Sequence, residues 1–175
     1  MPLPQRIVIL GNAGSGKSTL ARKLGAALDL PVVHLDRLFW NPGWQECETE
    51  EFRRRVLAAM QGERWITEGN YSSRTWDLRL PRADLVLRLV QPTWLCLGRA
   101  IRRSVVNYGR TRADLGPACP EKFDPAFWRF IWNYEKRWPR SASVIASYAL
   151  GARYVELRGD RAIADFVNGM QARRA

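Results

Sequence analysis

Residues 11–19 read Gly-Asn-Ala-Gly-Ser-Gly-Lys-Ser-Thr, a spacing suited to holding a chain of phosphates. Gly11, Gly14 and Gly16 open backbone conformations closed to other residues and let anionic oxygens approach the main chain. The N–H groups of Gly11, Asn12, Ala13, Gly14, Ser15, Gly16, Lys17, Ser18 and Thr19 then line one concavity, and the positive end of the following helix points to the same place. The Lys17 ammonium can reach the β- and γ-phosphates, and the Ser18 hydroxyl can complete the shell of a Mg²⁺ ion. The expected ligands are ATP, or a close relative, and Mg²⁺.

Two carboxylates follow. Asp36 and Glu68 each close an apolar segment that reads as a strand, and the carboxyl ends of strands in an open α/β sheet face the ligand crevice. Asp36 could orient metal-bound water, bind an acceptor hydroxyl or act as a base. Glu68 could hold a metal-bound water or position a nucleophile. A turn or salt-bridge role would leave the same trace in the sequence. Phe39, Trp40 and Trp44 after Asp36, and Asn70 and Tyr71 after Glu68, are the candidate acceptor-side residues; the rings could stack on a base or another ring, or simply form core.

Five arginines lie within fourteen residues, Arg99, Arg102, Arg103, Arg110 and Arg112, with no acid among them. The first three share a helix face at i, i+3, i+4. Arginines brought onto a bound triphosphate would neutralise the moving phosphoryl group. A solvated basic face is the plainer reading.

The elements that must position these groups follow from periodicity. Residues 6–10, 32–36, 65–68, 84–90 and 153–158 read as strands, mostly continuous in hydrophobicity, as in a sheet covered on both faces. Helical patterns alternate with them, so the fold class expected is α/β, a parallel five-stranded sheet with helices on both faces. Leu20, Leu24 and Leu28 make a stripe over residues 18–28. Thr49 is the expected cap of a helix bearing Phe52, Val56 and Met60, and Thr93 of one running to about residue 108. Asp124-Pro125 reads as a cap followed by proline at the first helical position. Phe127, Ile131, Tyr134 and Trp138 recur at helical spacing, with core packing favoured over a base-stacking platform. Residues 109–123, with two glycines and two prolines, read as a small flap between helices.

The chain has 175 residues and is 46% hydrophobic, enough for one compact domain. No apolar run reaches the roughly 18–20 residues that cross a bilayer. The three cysteines, Cys47, Cys96 and Cys119, are widely spaced, as befits free thiols in the reducing cytoplasm. His34 is the single histidine and sits in an apolar run as a packed strand residue, which disfavours Ser-His-Asp and Cys-His hydrolases. The net charge of +11 is carried mainly by arginine. Polyphosphate explains part of it, and nucleic acid could explain more.

The phosphate loop, the run His34-Leu35-Asp36-Arg37-Leu38-Phe39-Trp40 with Pro42-Gly43-Trp44, and Thr67-Glu68-Gly69-Asn70-Tyr71 together resemble the adenylate-kinase-like proteins known as DNA topology modulation proteins. The resemblance covers about residues 5–140. It implies a three-layer P-loop kinase fold with strand order 2-3-1-4-5, an acceptor-side insertion at about 37–62 and a lid at about 109–123. It also implies that Arg99 and Arg103 lie near adenine or phosphates, that Arg110 and Arg112 are lid arginines, and that Gly159, Asp160 and Arg161 pass near the adenine ring. Glu68 stands where adenylate kinases carry an aspartate, and the short insertion has no nucleotide-monophosphate signature. The expected activity is transfer of the ATP γ-phosphoryl group to a nucleotide or small-molecule acceptor. The alternative is a nucleotide-dependent nucleic-acid-binding protein with slow ATPase activity.

Overall fold

The computed structural model describes residues 2–174. The chain runs β1 (Arg6–Gly11), α1 (Lys17–Leu28), β2 (Val32–His34), α2 (Leu35–Phe39), β3 (Trp40–Asn41), β4 (Gln45–Glu46), α3 (Thr49–Ala59), β5 (Trp65–Glu68) and α4 (Ser72–Arg79). It continues through β6 (Leu85–Val90), α5 (Thr93–Val106), α6 (Pro125–Trp132), α7 (Tyr134–Tyr148), β7 (Arg153–Arg158) and α8 (Gly159–Ala172). The main sheet is wholly parallel, in the order β2-β5-β1-β6-β7. In the numbering of the five expected strands this is 2-3-1-4-5. β3 and β4 form a separate antiparallel hairpin.

Alternation along β1 divides the core. Ile7 and Ile9 point to one face, where they meet Leu20, Leu24 and Leu28 of α1 and Val167 and Met170 of α8. Val8 and Leu10 point to the other, onto Phe39, Phe52, Trp76 and Trp138 from α2, α3, α4 and α7. All four β1 residues are fully buried. Each such side chain stabilises the fold by about 1.5–3 kcal/mol through burial. Both faces being covered is why the strands read as unbroken apolar runs. Among the described residues no helix is long and apolar enough to cross a membrane.

Three local expectations are corrected. Asp36 does not end a strand; β2 stops at His34, opposite Glu68, and the chain turns directly into α2. β5 ends at that register, so residues 35 and 36 have no strand to pair with. The cap of α3 is Glu48, whose carboxylate accepts from the Glu51 amide at 3.0 Å, and Thr49 is already helical. α5 begins after Pro92 with no side-chain cap and ends at Val106. Asp124 does cap α6, accepting from the Phe127 amide at 3.0 Å with Pro125 in the first turn. The helical stripe beyond it is divided by Asn133 between α6 and α7. Ile131, Tyr134 and Trp138 are buried and Phe127 packs beside Ile131, so these side chains are core.

Candidate active site

The site sits where β1, β2, β5 and β6 end. Gly11 closes β1 at φ 146°, and a Cβ there would lie 2.7 Å from the Leu89 carbonyl oxygen. Gly14 (φ 80°) is crowded further: its Cβ would come within 2.2 Å of the Cys96 carbonyl oxygen on α5. The loop between them is tied down by Ser15 N–H donating to Asn12 O at 3.2 Å and by the Asn12 amide donating to Ile131 O at 2.9 Å. Lys17 folds back over this loop and donates to Asn12 O at 2.8 Å. Burial pushes its ammonium below the usual lysine range, opposed by the charges of Glu68 and Asp36. Asn12 Oδ1 and Ser15 Oγ are buried without a protein partner. Asn12 and Ala13 contribute through anchoring and packing, and Thr19 is exposed.

Glu68 joins β2 to the start of α1. One of its oxygens accepts from the Ser18 hydroxyl at 3.0 Å and lies 2.8 Å from His34 Nδ1. His34 is thus more than a packed strand residue. It stands at the end of β2 beside β5, the position expected for Asp36. The Asp114 carboxyl, carried on residues 109–123, lies near enough to Ser18 for the hydroxyl to lower its pKa. Burial would raise its pKa, but Arg112, Ser18 and its own amide bring it below the ordinary aspartate value. Among the described residues no group of three histidine, cysteine or carboxylate ligands could hold a metal alone. Ser18, Glu68 and Asp114 are hard oxygen donors, and they fit a magnesium ion whose shell is completed by phosphate oxygens and water.

Asp36, expected on the acceptor side, stands in the first turn of α2. It accepts from the Tyr71 hydroxyl at 2.6 Å. Burial and the Glu68 charge push its pKa up, while Tyr71, Lys17 and Arg112 pull it down; the net shift is upward. Tyr71 is itself raised, by burial and by Asp36. The other acceptor-side candidates are placed differently from expectation. Phe39 is a core residue, edge-on to Phe52 and beneath the Arg74 guanidinium. The Asn70 side chain faces the phosphate loop, accepting from Gly11 N–H at 3.1 Å and donating to Gly11 O at 2.9 Å. Trp40 and Trp44 contact each other edge-on and hold the lid. Trp44 donates its indole N–H to Pro120 O at 2.8 Å, and the Trp40 carbonyl abuts Gly116, where a Cβ would lie 2.0 Å away.

The lid spans the connection between α5 and α6 and closes on itself through bridges at Tyr108 with Glu121 and Thr111 with Pro120. It lies down on the β3–β4 hairpin, with Gly43 N–H donating to Ala118 O at 2.8 Å. Arg103 and Arg112 converge on buried Glu121 at 3.1 and 2.7 Å, and Arg112 also grips Asp114 at 3.0 and 2.9 Å. Both arginines come within charge range of Asp36. Arg110 is exposed and takes no part in this cluster, and Arg102 is exposed on α5. Asp114 and Glu121 escape notice in the sequence, where they look like the first ordinary acids after a basic run.

A cleft of about 320 Å³ continues from the phosphate loop, lined by Ser15, Thr19, Lys23, Arg99 and Asp160. Asp160 accepts from Arg99 at 2.6 Å and from the Gln91 amide at 2.7 Å. Gly159, at φ 80°, opens α8 beside it, whereas Arg161 is almost fully exposed and points to Asp165.

No family model matches the chain, and no curated protein matches it. Solved structures do. A gluconokinase from Sinorhizobium meliloti aligns over 100% of this chain and 95% of its own at a TM-score of 0.54 and 16% identity. A shikimate kinase from Bacteroides thetaiotaomicron aligns over 98% of both chains at 0.55 and 18%. A shikimate kinase from Acinetobacter baumannii in complex with shikimate aligns over 96% of this chain and 90% of its own at 0.55 and 19%. Across its whole length the chain therefore has the three-layer α/β fold of P-loop kinases.

Proposed function

We propose that this protein is an ATP-dependent phosphotransferase that moves the γ-phosphoryl group of MgATP to a hydroxyl of a small acceptor. One observation carries the reading. A half-buried carboxylate with a raised pKa, Asp36, stands within charge range of Lys17 and the lid arginine Arg112, held by the Tyr71 hydroxyl. A phosphate loop alone would serve any nucleotide-binding protein. A half-buried aspartate of raised pKa beside it serves a reaction in which a hydroxyl must be bound and relieved of its proton.

The roles follow from position. The loop amides and Lys17 hold the triphosphate, and the cleft at Arg99 and Asp160 receives the base and ribose. Ser18, Glu68 and Asp114 hold the magnesium ion, which when bound neutralises phosphate charge. Asp36 orients the acceptor hydroxyl and accepts its proton. Arg103 and Arg112, now paired with Glu121 and Asp114, stabilise charge on the transferring group once the triphosphate competes for them. The likeness to a gluconokinase and to shikimate kinases supports a small hydroxylated acceptor over a nucleotide.

The deciding experiment offers γ-labelled MgATP with a panel of sugar acids, polyols, nucleosides and nucleotides. Rapid transfer of label to one class is expected. Salt-sensitive nucleic-acid binding with slow hydrolysis and no transfer would reverse the assignment in favour of a nucleic-acid-binding ATPase.

A further inference from the structure

Arg79, the last residue of α4, is completely buried. Burying a guanidinium is expensive unless its donors are met. No carboxylate meets them. Nε donates to Thr75 Oγ1 at 3.1 Å, Nη1 to Gly69 O at 3.1 Å and Nη2 to Asn70 O at 2.6 Å. The two carbonyls are consecutive and belong to the turn that leaves β5. This turn has backbone conformations that no ladder supports, with Gly69 at φ 126° and Tyr71 at φ 43°.

That turn is where the separate parts of the site meet. Glu68 bonds Ser18 on the metal side. Asn70 clamps both backbone groups of Gly11 on the triphosphate side. Tyr71 holds Asp36 on the acceptor side. The three side chains on these four successive residues thus each serve a different part of the site, and their relative placement depends on how the turn is wound.

We infer that Arg79 is a positioning residue: by gripping two consecutive carbonyls of this turn it sets the registry in which Glu68, Asn70 and Tyr71 address metal, triphosphate and acceptor. A planar fork suits two adjacent oxygens, whereas a lysine ammonium is a single point charge on a flexible stem. An apolar side chain would fill the same space and leave both carbonyls unmet. Burial lowers the guanidinium pKa to about 9, so it stays cationic at neutral pH. The functional consequence rests on the nucleotide reading above, while the registry itself does not.

The test compares wild type with Arg79→Lys by amide hydrogen exchange and by calorimetric titration with MgATP. Exchange at the Gly11 amide, which bonds to Asn70, should quicken by about tenfold while Val8 and Ile9 in the same strand keep wild-type protection. MgATP affinity should fall by a similar factor, and in an Asn70→Ala background Arg79→Lys should add little to that loss. Equal quickening across β1 would make Arg79 a general packing residue and overturn the inference, as would an unchanged Gly11. If Arg79→Lys does not fold, Arg79→Gln, which leaves one donor nitrogen for the two carbonyls and spares the Thr75 bond to Tyr71 O, should give the same local pattern, and its failure to do so would overturn the inference equally. If wild type itself fails to bind MgATP, the proposed function falls, and the exchange pattern still decides the role of Arg79.

Discussion

At the scale of single residues, charge and burial pull in opposite directions. Lys17 is half-buried and its charged form is disfavoured by desolvation, so it is poised to gain from an anion. Lys17→Ala should abolish measurable MgATP binding by calorimetry; affinity near wild type would remove the loop from the mechanism. Asp36 makes a sharper case. Its folded pKa is raised, so the folded protein holds this proton more tightly than the unfolded chain does. The stability it contributes is present below the ordinary aspartate pKa and is lost as pH rises through the folded value. Asp36→Asn should therefore raise Tm at pH 7, and the gain should vanish as pH falls below the ordinary aspartate pKa, where the carboxyl is neutral in the folded and unfolded states alike. The same substitution should lower kcat by about 10²–10⁴ with little change in ATP affinity. In wild type, activity should fall with acidification at a pH above the usual aspartate range, because the base must be ionised.

At the scale of elements, the lid and the β3–β4 hairpin form one closing device. Gly116 fits only because the Trp40 carbonyl has no Cβ against it. Gly116→Ala should hold the lid off the hairpin. The expected outcome is a lower kcat, faster limited proteolysis within residues 109–123 and a Tm within about 2 °C of wild type, since little core is disturbed. Arg112→Lys keeps the charge but cannot reach Glu121 and Asp114 from two separate nitrogens as the guanidinium does through Nε and Nη1, and kcat should drop by about 10²-fold. Arg110→Ala, at an exposed position outside the cluster, is the matched control and should stay close to wild type. Nothing in the amino-acid string separates Arg110 from Arg112. Their division depends on the bridge of Thr111 with Pro120, a pairing between two residues nine apart.

At the scale of the whole molecule, ligand and fold are linked. MgATP at about a hundred times its Kd should stabilise the protein by about 2.7 kcal/mol, a Tm rise of about 5–10 °C for a domain of this size. Lys17→Ala should lose the shift, and a scan with and without nucleotide checks both. The strands and the phosphate loop were legible because they are local properties, fixed by backbone conformation and by burial on two faces, whereas the sheet order is non-local and followed only from the family resemblance. The placement of Asn70 and Phe39 was not legible. Each sits beside a genuine site residue in sequence, and only the turn after β5 and the short α2 decide which neighbour faces the ligand. His34 could have been found, since it precedes Asp36 by two residues at a strand end, but its apolar surroundings argued for core. Asp114 and Glu121 needed the folded lid to become visible.

The approach of Gly14 to the Cys96 carbonyl bears on how this protein would breathe. With 2.2 Å between that oxygen and where a methyl would sit, the phosphate loop and the first turn of α5 are seated as one block. Arg99 and Arg103 ride on that block, so neither swings away with the flap. Any opening must pivot downstream, where α5 gives out at Asn107 and Gly109 turns left-handed at φ 71°. Arg112, Asp114 and Glu121 would then travel together, leaving Arg103 behind. Of the two arginines on Glu121, one is a fixture of the floor and the other arrives with the roof.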